Sequence, residues 1–374
     1  MHVITSLGLG GTETVLLRLL ERTTSTCEVV VLQRTGIVGD AIERLGVPVR
    51  SLGLHSRVPT PRSLWTLARW ARAFRPDVVQ TWLYAADLAG GVAGLATGAP
   101  VLWNLRNTMI DSPGLSFGTR AVIRLAAATA RIIPARIVCG SEAAAVAHVR
   151  AGYPAARIVV IPNGIDIAQF RPDEQHREAV RAELRLPSDA VVIALIGRFD
   201  PLKDHRNFID AAARVSRHAP NAAFVLAGDG ISSDNDMLMS WIRDAGIGNV
   251  THLLGRRMDV ARIMAATDVA VLSSRSEGFP NVVAEAMACG VPCVVTDVGD
   301  AAEIIGDTGI VVPPRDAQAL ADGCLRLIDA GPEVRRQSGE RARNHIAERY
   351  SLDAMVERYD SLHAELARVR SNQA

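Results

Sequence analysis

Lysine is almost missing from this chain. Of its 41 Lys and Arg residues only Lys203 is lysine. Where nearly every cation is a planar guanidinium fork, a lone ammonium marks a place that needs a compact, freely rotating charge. Cysteine is sparse and unpaired. Cys27, Cys139, Cys289, Cys293 and Cys324 form no CxxC and have no partnering histidine, which excludes a disulfide framework and a zinc site and points to a reducing, cytoplasmic compartment. Long apolar runs are absent too. The best stretch, Ala121 to Cys139, is broken by Arg124, Arg131, Pro134 and Arg136 before it reaches the roughly 18 residues a membrane helix needs. The first residues lack the charged start of a signal peptide. The GxGxxG spacing of nicotinamide sites is missing, and no DxD metal motif precedes a sheet edge.

What is present is ordinary globular material: 374 residues, 48% apolar and 22% charged, enough for two domains or a little more. The charge is unevenly spread. Residues 1–165 hold 17 Arg against 9 Asp and Glu, a net of +8, and the remainder holds 24 cations against 31 acids, a net of −7. The first half is therefore expected to face something anionic, a phosphorylated acceptor or an anionic lipid surface, with scattered solvated arginines as the plain alternative. No nucleic-acid partner is expected.

From Ala190 onward, β-branched runs alternate with helix-like stretches: Val191–Ile196, Ala223–Ala227, Val250–Leu253, Val269–Leu272, Cys293–Thr296 and Ile310–Val312. The first half repeats the pattern at Val3–Thr5, Val29–Leu32, Val78–Gln80, Val101–Trp103, Ile137–Cys139 and Ile158–Ile161. Alternation of this kind calls for parallel sheets covered on both faces, with ligands at the carboxyl ends of the strands. The fold expected is α/β, with two Rossmann-like, doubly wound domains facing a cleft: residues 1–165, residues 166–350 and a helix in 351–374 packing back on the first domain. The hinge is the turn signal Pro162-Asn163-Gly164. The tail carries Met355, Tyr359, Leu362 and Leu366 at three- and four-residue spacing.

Three segments carry chemistry. Gly10-Gly11-Thr12-Glu13 is a Gly-rich turn between the opening strand and a helix, a place where backbone N–H groups and a helix N-terminus suit a phosphate. Gly197-Arg198-Phe199-Asp200-Pro201-Leu202-Lys203 puts two cations just past a strand, and an Arg fork with a Lys point charge can neutralise a departing diphosphate. The sharpest segment runs from Ser273 through Glu277-Gly278-Phe279-Pro280-Asn281-Val282 to Glu285. A helix starting near Asn281 would offer free N–H groups to phosphate oxygens. Two carboxylates there, Glu277 in the loop and Glu285 one turn into the helix, would accept hydrogen bonds from neutral hydroxyls of a ribose or a hexose.

With seven residues between Glu277 and Glu285, inside SEGFPNVVAEAMACGVPCVVT, this segment resembles the signature of retaining glycosyltransferases of the GT-B fold, family 4 (group 1). The likeness extends to Gly10-Gly11-Thr12-Glu13, Ile161-Pro162-Asn163-Gly164-Ile165-Asp166, Gly197-Arg198 with Lys203-Asp204, Ala227-Gly228-Asp229-Gly230 and Leu254-Gly255-Arg256. The resemblance implies that Arg198 and Lys203 hold a donor diphosphate, Glu285 the ribose and Glu277 the transferred sugar. Gly10 and Gly11 would meet the phosphate from the other domain, the segment Gly278-Phe279-Pro280-Asn281-Val282 would line the donor site, and Gly255 and Arg256 would lie beside the base. By family habit the base is uridine. Many relatives carry a histidine on a first-domain loop; here the corresponding loops read Thr81-Trp82-Leu83-Tyr84 and Trp103-Asn104-Leu105-Arg106-Asn107. Arg106 and Asn107 are the acceptor-side candidates. His55, His148 and His205 read as surface residues, so no acceptor base is assigned.

The expected activity is a retaining, metal-independent hexosyl transfer, without cofactor, from a nucleotide diphosphate-sugar to a hydroxyl of a glycan, lipid-linked or small-molecule acceptor in cell-surface polysaccharide or glycoconjugate synthesis. Arg198, Lys203 and Glu277 are the catalytic candidates. A peripheral contact with the inner face of an anionic membrane is expected from Arg120, Arg124, Arg131 and Arg136. Two alternatives stand beside it. A nucleotide-sugar epimerase would need an acid/base cluster at the sugar, and a non-catalytic sugar-nucleotide binder would tolerate loss of Lys203 or Glu277.

Overall fold

The structure is a computed structural model that describes residues 1–8, 10–55, 59–108, 110 and 116–371. Two compact units divide it: Met1–Gly164 together with the C-terminal helix Leu352–Ser371, and Ile165–Ser351.

Seven strands build the first unit: β1 (His2–Ile4), β2 (Val29–Val31), β3 (Val49–Ser51), β4 (Val79–Trp82), β5 (Val101–Leu105), β6 (Pro134–Cys139) and β7 (Ile158–Val160). They lie in the order β3-β2-β1-β4-β5-β6-β7, with every pairing parallel. Alternation along the strands feeds two cores. Val3, Val30, Trp103 and Ile137 join the layer on one face, while Ile4, Val29, Val31, Trp82, Leu102 and Val138 join the other. That second layer is closed by Met355, Val356, Tyr359, Leu362 and Leu366 of the helix Leu352–Ser371. The expected strands differ from the observed ones mainly at β3, which the sequence reading omits. Its Val-Arg-Ser is a half-exposed edge strand with no apolar run to betray it.

The second unit has β8 (Val191–Ile196), β9 (Ala222–Ala227), β10 (Thr251–Leu253), β11 (Val269–Leu272), β12 (Cys293–Thr296) and β13 (Ile310–Val312). The order is β10-β9-β8-β11-β12-β13, again parallel throughout. Val250, read as strand, belongs instead to the short 3-10 turn Gly248–Val250.

Both sheets reverse winding direction once, between β1 and β4 and between β8 and β11. At such a reversal the two connections leave the sheet toward opposite faces, and the carboxyl ends of the neighbouring strands open a crevice between them. Two such crevices therefore exist, one per unit.

Candidate donor and acceptor sites

In the second unit the crevice is framed by the loop after β8, which carries Arg198 and Lys203, and the loop after β11, which carries Ser273 to Pro280. Backbone and side chains stitch these loops together. The Ser273 hydroxyl donates to the Lys203 carbonyl at 2.7 Å, and the Arg275 N–H donates to the Leu202 carbonyl at 2.7 Å. The Arg275 guanidinium grips the buried Asp204 with two bonds of 2.6 and 2.7 Å. Asp204 itself has φ 49°, a left-handed conformation that aspartate tolerates better than most residues, and it closes the turn before the helix His205–His218.

The result of this clamp is a short ion pair. Lys203 Nζ lies 2.6 Å from Glu277 Oε1, with the two side chains 22% and 12% exposed. The Ser274 hydroxyl donates to the same oxygen at 2.6 Å. Glu277 is further fixed from behind: Gly299, at φ 57°, passes so close that an added Cβ would sit 2.5 Å from the Gly278 carbonyl and 2.6 Å from that of Glu277. The Asp300 N–H donates to the Gly278 carbonyl at 2.9 Å.

Arg198 is held apart from this pair by its own partner. It reaches Asp200 Oδ2 with Nε at 3.0 Å and Nη2 at 2.9 Å and is largely exposed. Asp200 is kept below the usual carboxylate range by the Leu202 N–H first, then by Arg198 and Lys203. One carboxylate thus stands within the field of both cations.

The helix Asn281–Ala288 begins as its sequence predicts, after Pro280. Asn281, Val282 and Glu285 are half-buried on it. Phe279 rests its ring 5.7 Å from that of Tyr350, so it anchors the loop within the unit. Glu285 adds its charge to burial in pushing the Cys289 thiol up to about 12. Three glycines converge on the other wall. The Gly228 N–H donates to the Gly255 carbonyl at 2.8 Å, and a Cβ on Gly228 would lie 2.1 Å from the Gly197 carbonyl. The loops after β8 and β9 can therefore meet at Gly228 only as bare backbone. Arg256, next in line, is exposed.

Residues that the sequence reading left without a role, Asp204, Ser274, Arg275 and Gly299, complete the clamp. Their signal was weak because each belongs to a loop whose partner loop is some seventy residues away, or just beyond the next strand. Histidine is a correction. His205 and His148 are buried, not surface residues. Burial lowers His205 to about 4, a neutral ring 5.3 Å from Phe199, and it holds His148 low as well.

In the first unit the crevice between β1 and β4 opens into a cavity of about 610 Å³. Thr5 and Ser6 follow β1, Tyr84 follows β4 and Asn107 follows β5, with Glu13 of the helix Gly11–Arg22 beside them. Gly10 caps that helix in an extended conformation. A Cβ there would lie 2.4 Å from Glu13 Oε2, because the Glu13 carboxylate folds back over the turn. Gly11, by contrast, has open space around it. Arg106 is not among the described residues that line the cavity. It donates to Asn104 Oδ1 at 2.9 Å, to Asn163 Oδ1 at 2.6 Å and to the Tyr359 hydroxyl, and its guanidinium lies 5.9 Å from the Trp82 ring centre.

Among the described residues no helix is long and apolar enough to cross a membrane, and no cluster of three His, Cys, Asp or Glu could hold a metal ion.

Comparison with known proteins supplies the family. Residues 176–345 match the model of the glycosyl transferases group 1, and residues 9–169 match that of glycosyltransferase family 4. The Escherichia coli UDP-Gal:alpha-D-GlcNAc-diphosphoundecaprenol alpha-1,3-galactosyltransferase is 23% identical over 337 residues, 89% of this chain and 86% of that protein. The D-inositol 3-phosphate glycosyltransferase of Saccharomonospora viridis is 34% identical over 212 residues, only 52% of this chain and 48% of its own length. Among solved structures, Anabaena Alr3699/HepE in complex with UDP superimposes with a TM-score of 0.85 at 22% identity, covering 98% of this chain and all of that one, which fixes the fold as GT-B. With two parallel α/β units, each matched by its own half of the family's models, the chain belongs to the group 1 glycosyltransferases, family 4, which move a sugar from a nucleotide-sugar donor.

Proposed function

We propose that the chain transfers a hexose, with retention of anomeric configuration and without a resident metal, from a UDP-sugar to a hydroxyl of a glycan or lipid-linked acceptor. The observation that carries this reading is the Lys203–Glu277 pair at the sheet reversal of the second unit. The only lysine of the chain is held at the mouth of that crevice by a carboxylate that is itself pinned by Ser274. Lys203, with Arg198 nearby in sequence, is the cation set for a diphosphate. The first N–H groups of the helix Asn281–Ala288 suit its oxygens. Glu285 accepts from the ribose hydroxyls and Glu277 from those of the sugar. The bare backbone of Gly197, Gly228 and Gly255 makes room for the nucleoside, with Arg256 at its edge.

In the step proposed, the bond between the anomeric carbon and the diphosphate oxygen breaks as the acceptor oxygen bonds the same face. The acceptor's proton passes to the departing phosphate, whose charge Lys203 and Arg198 offset. No protein base is then required. Glu277, occupied by Lys203 and Ser274, serves better as a hydroxyl acceptor than as a nucleophile. Support for the donor comes from the Anabaena protein crystallised with UDP, and support for a lipid-linked acceptor comes from the E. coli relative.

A membrane-facing surface fits that acceptor. On and just after the helix Phe117–Thr129, Phe117 and Ile132 are 86% and 80% exposed among the exposed Arg120, Arg124 and Arg131. Arg136 is not part of it, being on β6 and paired with Glu365 at 2.8 Å.

The test is thermal unfolding with chelator present against UDP-, GDP- and ADP-sugars, for the wild type and Glu285→Ala. Stabilisation by one base alone, lost in the variant, is the expected outcome. No shift with any donor defeats the reading. Equal recovery on neutral and anionic vesicles at low salt defeats the membrane contact.

A further inference from the structure

The loops after β8 and β11 carry as many carboxylates as cations, and each cation is already matched. Arg275 holds Asp204 at 2.6 and 2.7 Å, Lys203 meets Glu277 at 2.6 Å, and Arg198 reaches Asp200 at 2.9 and 3.0 Å. His205, next along the chain, adds no charge, because burial holds its ring neutral. A diphosphate brings about two negative charges as a diester and about three once one end is free, since a terminal phosphate ionises a second time at about pH 6. It enters loops whose own charges cancel, so one of the carboxylates must give up its cation and then oppose the ligand.

The three carboxylates are not equal. Asp204 is buried and Arg275 occupies both of its oxygens. Glu277 takes the Ser274 hydroxyl as well as Lys203 on the same oxygen and is 12% exposed. Removing either charge would leave a cation facing nothing in a half-buried place. Asp200 differs. Its Oδ1 caps the short turn Pro201–Lys203 by accepting from the Leu202 N–H at 2.8 Å, a bond that an asparagine makes equally well. Its Oδ2 meets Arg198, whose side chain is 63% exposed and so keeps its water without this partner. The turn therefore needs the shape of Asp200 and not its charge. The charge is nonetheless firmly held, because the Leu202 N–H, then Arg198 and Lys203, keep the carboxyl below the usual range. It also sits on the turn that carries Lys203, whose N–H donates to the Asp200 carbonyl at 2.9 Å.

We infer that Asp200 limits the affinity of the donor site: it matches Arg198 while the site is empty, and once a diphosphate takes Arg198 its charge weakens the complex, that of the free diphosphate product more than that of the diester donor. The inference rests on the transferase reading above and deepens it by assigning a residue to product release. Electrostatics gives the order. Repulsion grows with the charge of the ligand, and the product carries about one charge more than the donor. An acid beside the diphosphate thus favours the departure of the product over that of the donor. The opposite role, an Asp200 that keeps its grip on Arg198 and aims the guanidinium at the phosphate, predicts the opposite response to loss of the charge.

The test is calorimetry on the full chain at slightly alkaline pH, where the terminal phosphate of UDP is doubly ionised. The probes are UDP and its β-methyl ester, which like a UDP-sugar is a diester with one charge fewer. Asp200→Asn keeps the cap and removes the charge. It should bind UDP about tenfold more tightly than the wild type and the methyl ester only about threefold more tightly. Asp200→Glu keeps the charge and disturbs the cap, and its affinities should stay within about twofold of the wild type. Asp200→Ser, another capping residue without charge, stands in if Asp200→Asn fails to fold. The inference is overturned if Asp200→Asn binds UDP no more tightly than the wild type, or if both probes gain equally. It is also overturned if Asp200→Glu shifts UDP as far as Asp200→Asn does, which would make the cap and not the charge the cause. If neither the wild type nor Asp200→Asn binds UDP, the donor reading falls and this inference with it. Equal binding by both removes the role of Asp200 alone, so the two failures are distinguishable.

Discussion

At the residue scale the second unit is organised around one charge. An ammonium at the carboxyl edge of a sheet is costly to hold in a half-buried place unless a carboxylate faces it, and Glu277 does so at 2.6 Å. Lys203→Met leaves Glu277 with Ser274 and removes the cation proposed to face the departing diphosphate. We expect kcat to fall by about 10²–10³-fold, the range seen when one group that stabilises transition-state charge is deleted, with the protein still folded. Glu277→Gln keeps the Ser274 bond and should lower kcat as well. Because both act on one array, the double variant should be much less impaired than the product of the singles. Steady-state kinetics on the four proteins checks this, and simple multiplication of the two losses would show that the pair does not act as a unit.

A second residue-scale prediction concerns Asp87, a fully buried carboxyl in the first unit. Burial raises it to about 7, against which the Thr81 hydroxyl at 2.5 Å and the Asn104 backbone act only in part. Its folded pKa lies above its unfolded value, so the folded state holds the proton more tightly. The stability it contributes is fully present below about pH 4 and is lost as pH rises through 7, at roughly 1 kcal/mol per pH unit in that window. Asp87→Asn should remove this dependence. Relative to the variant, the wild-type melting temperature should decline from pH 5 to pH 7 and then level off. Parallel profiles would mean that Asp87 is ionised at neutral pH.

At the scale of elements, legibility followed burial. Strands such as Val191–Ile196 and Val269–Leu272 are read from the sequence to the residue because parallel strands are covered on both faces and so appear as unbroken apolar runs. β3 escaped because Arg50 and Ser51 sit on an exposed edge. The loops of the candidate donor site were legible as composition, since Glu277 and Lys203 are types that do chemistry and a helix start at Asn281 suits an anion. Their mutual geometry was not, because the Asp204–Arg275 clamp and the Gly299 contact join segments brought together only by the sheet order. The first-unit cavity was the least legible. Thr5, Ser6, Glu13, Tyr84 and Asn107 are common residues scattered over about a hundred positions, and only the reversal between β1 and β4 collects them. One element-scale prediction follows from the glycine wall. Gly228 has φ 154° and no room for a Cβ against the Gly197 backbone. Gly228→Ala must push the loops after β8 and β9 apart, so it should both destabilise the unit and abolish UDP binding. Gly246→Ala, also at positive φ but with nothing nearby, should cost stability alone.

At the scale of the whole molecule the chain is one contiguous unit inserted into another. Ile165–Ser351 carries its own cores, whereas Met1–Gly164 has one face of its sheet finished by the last helix. Met355, Val356, Tyr359, Leu362 and Leu366 are buried there among Ile4, Leu16 and Trp82, and the Tyr359 hydroxyl accepts from Asn104 at 2.6 Å and from Arg106. At roughly 1.5–3 kcal/mol for each large apolar side chain, removing that helix forfeits an amount comparable with a domain's entire stability of about 5–15 kcal/mol. A chain ending at Ser351 should therefore lose the first unit and keep the second. Its melting curve should show one transition, and UDP at a hundred times its dissociation constant should raise the stability behind that transition by about 2.7 kcal/mol. Hydrogen exchange should find the amides of β1 and β4 unprotected and those of β8 and β11 protected. If β1 and β4 stay protected, the first unit folds without its last helix, and the burial of Tyr359 and its neighbours adds less than their area implies.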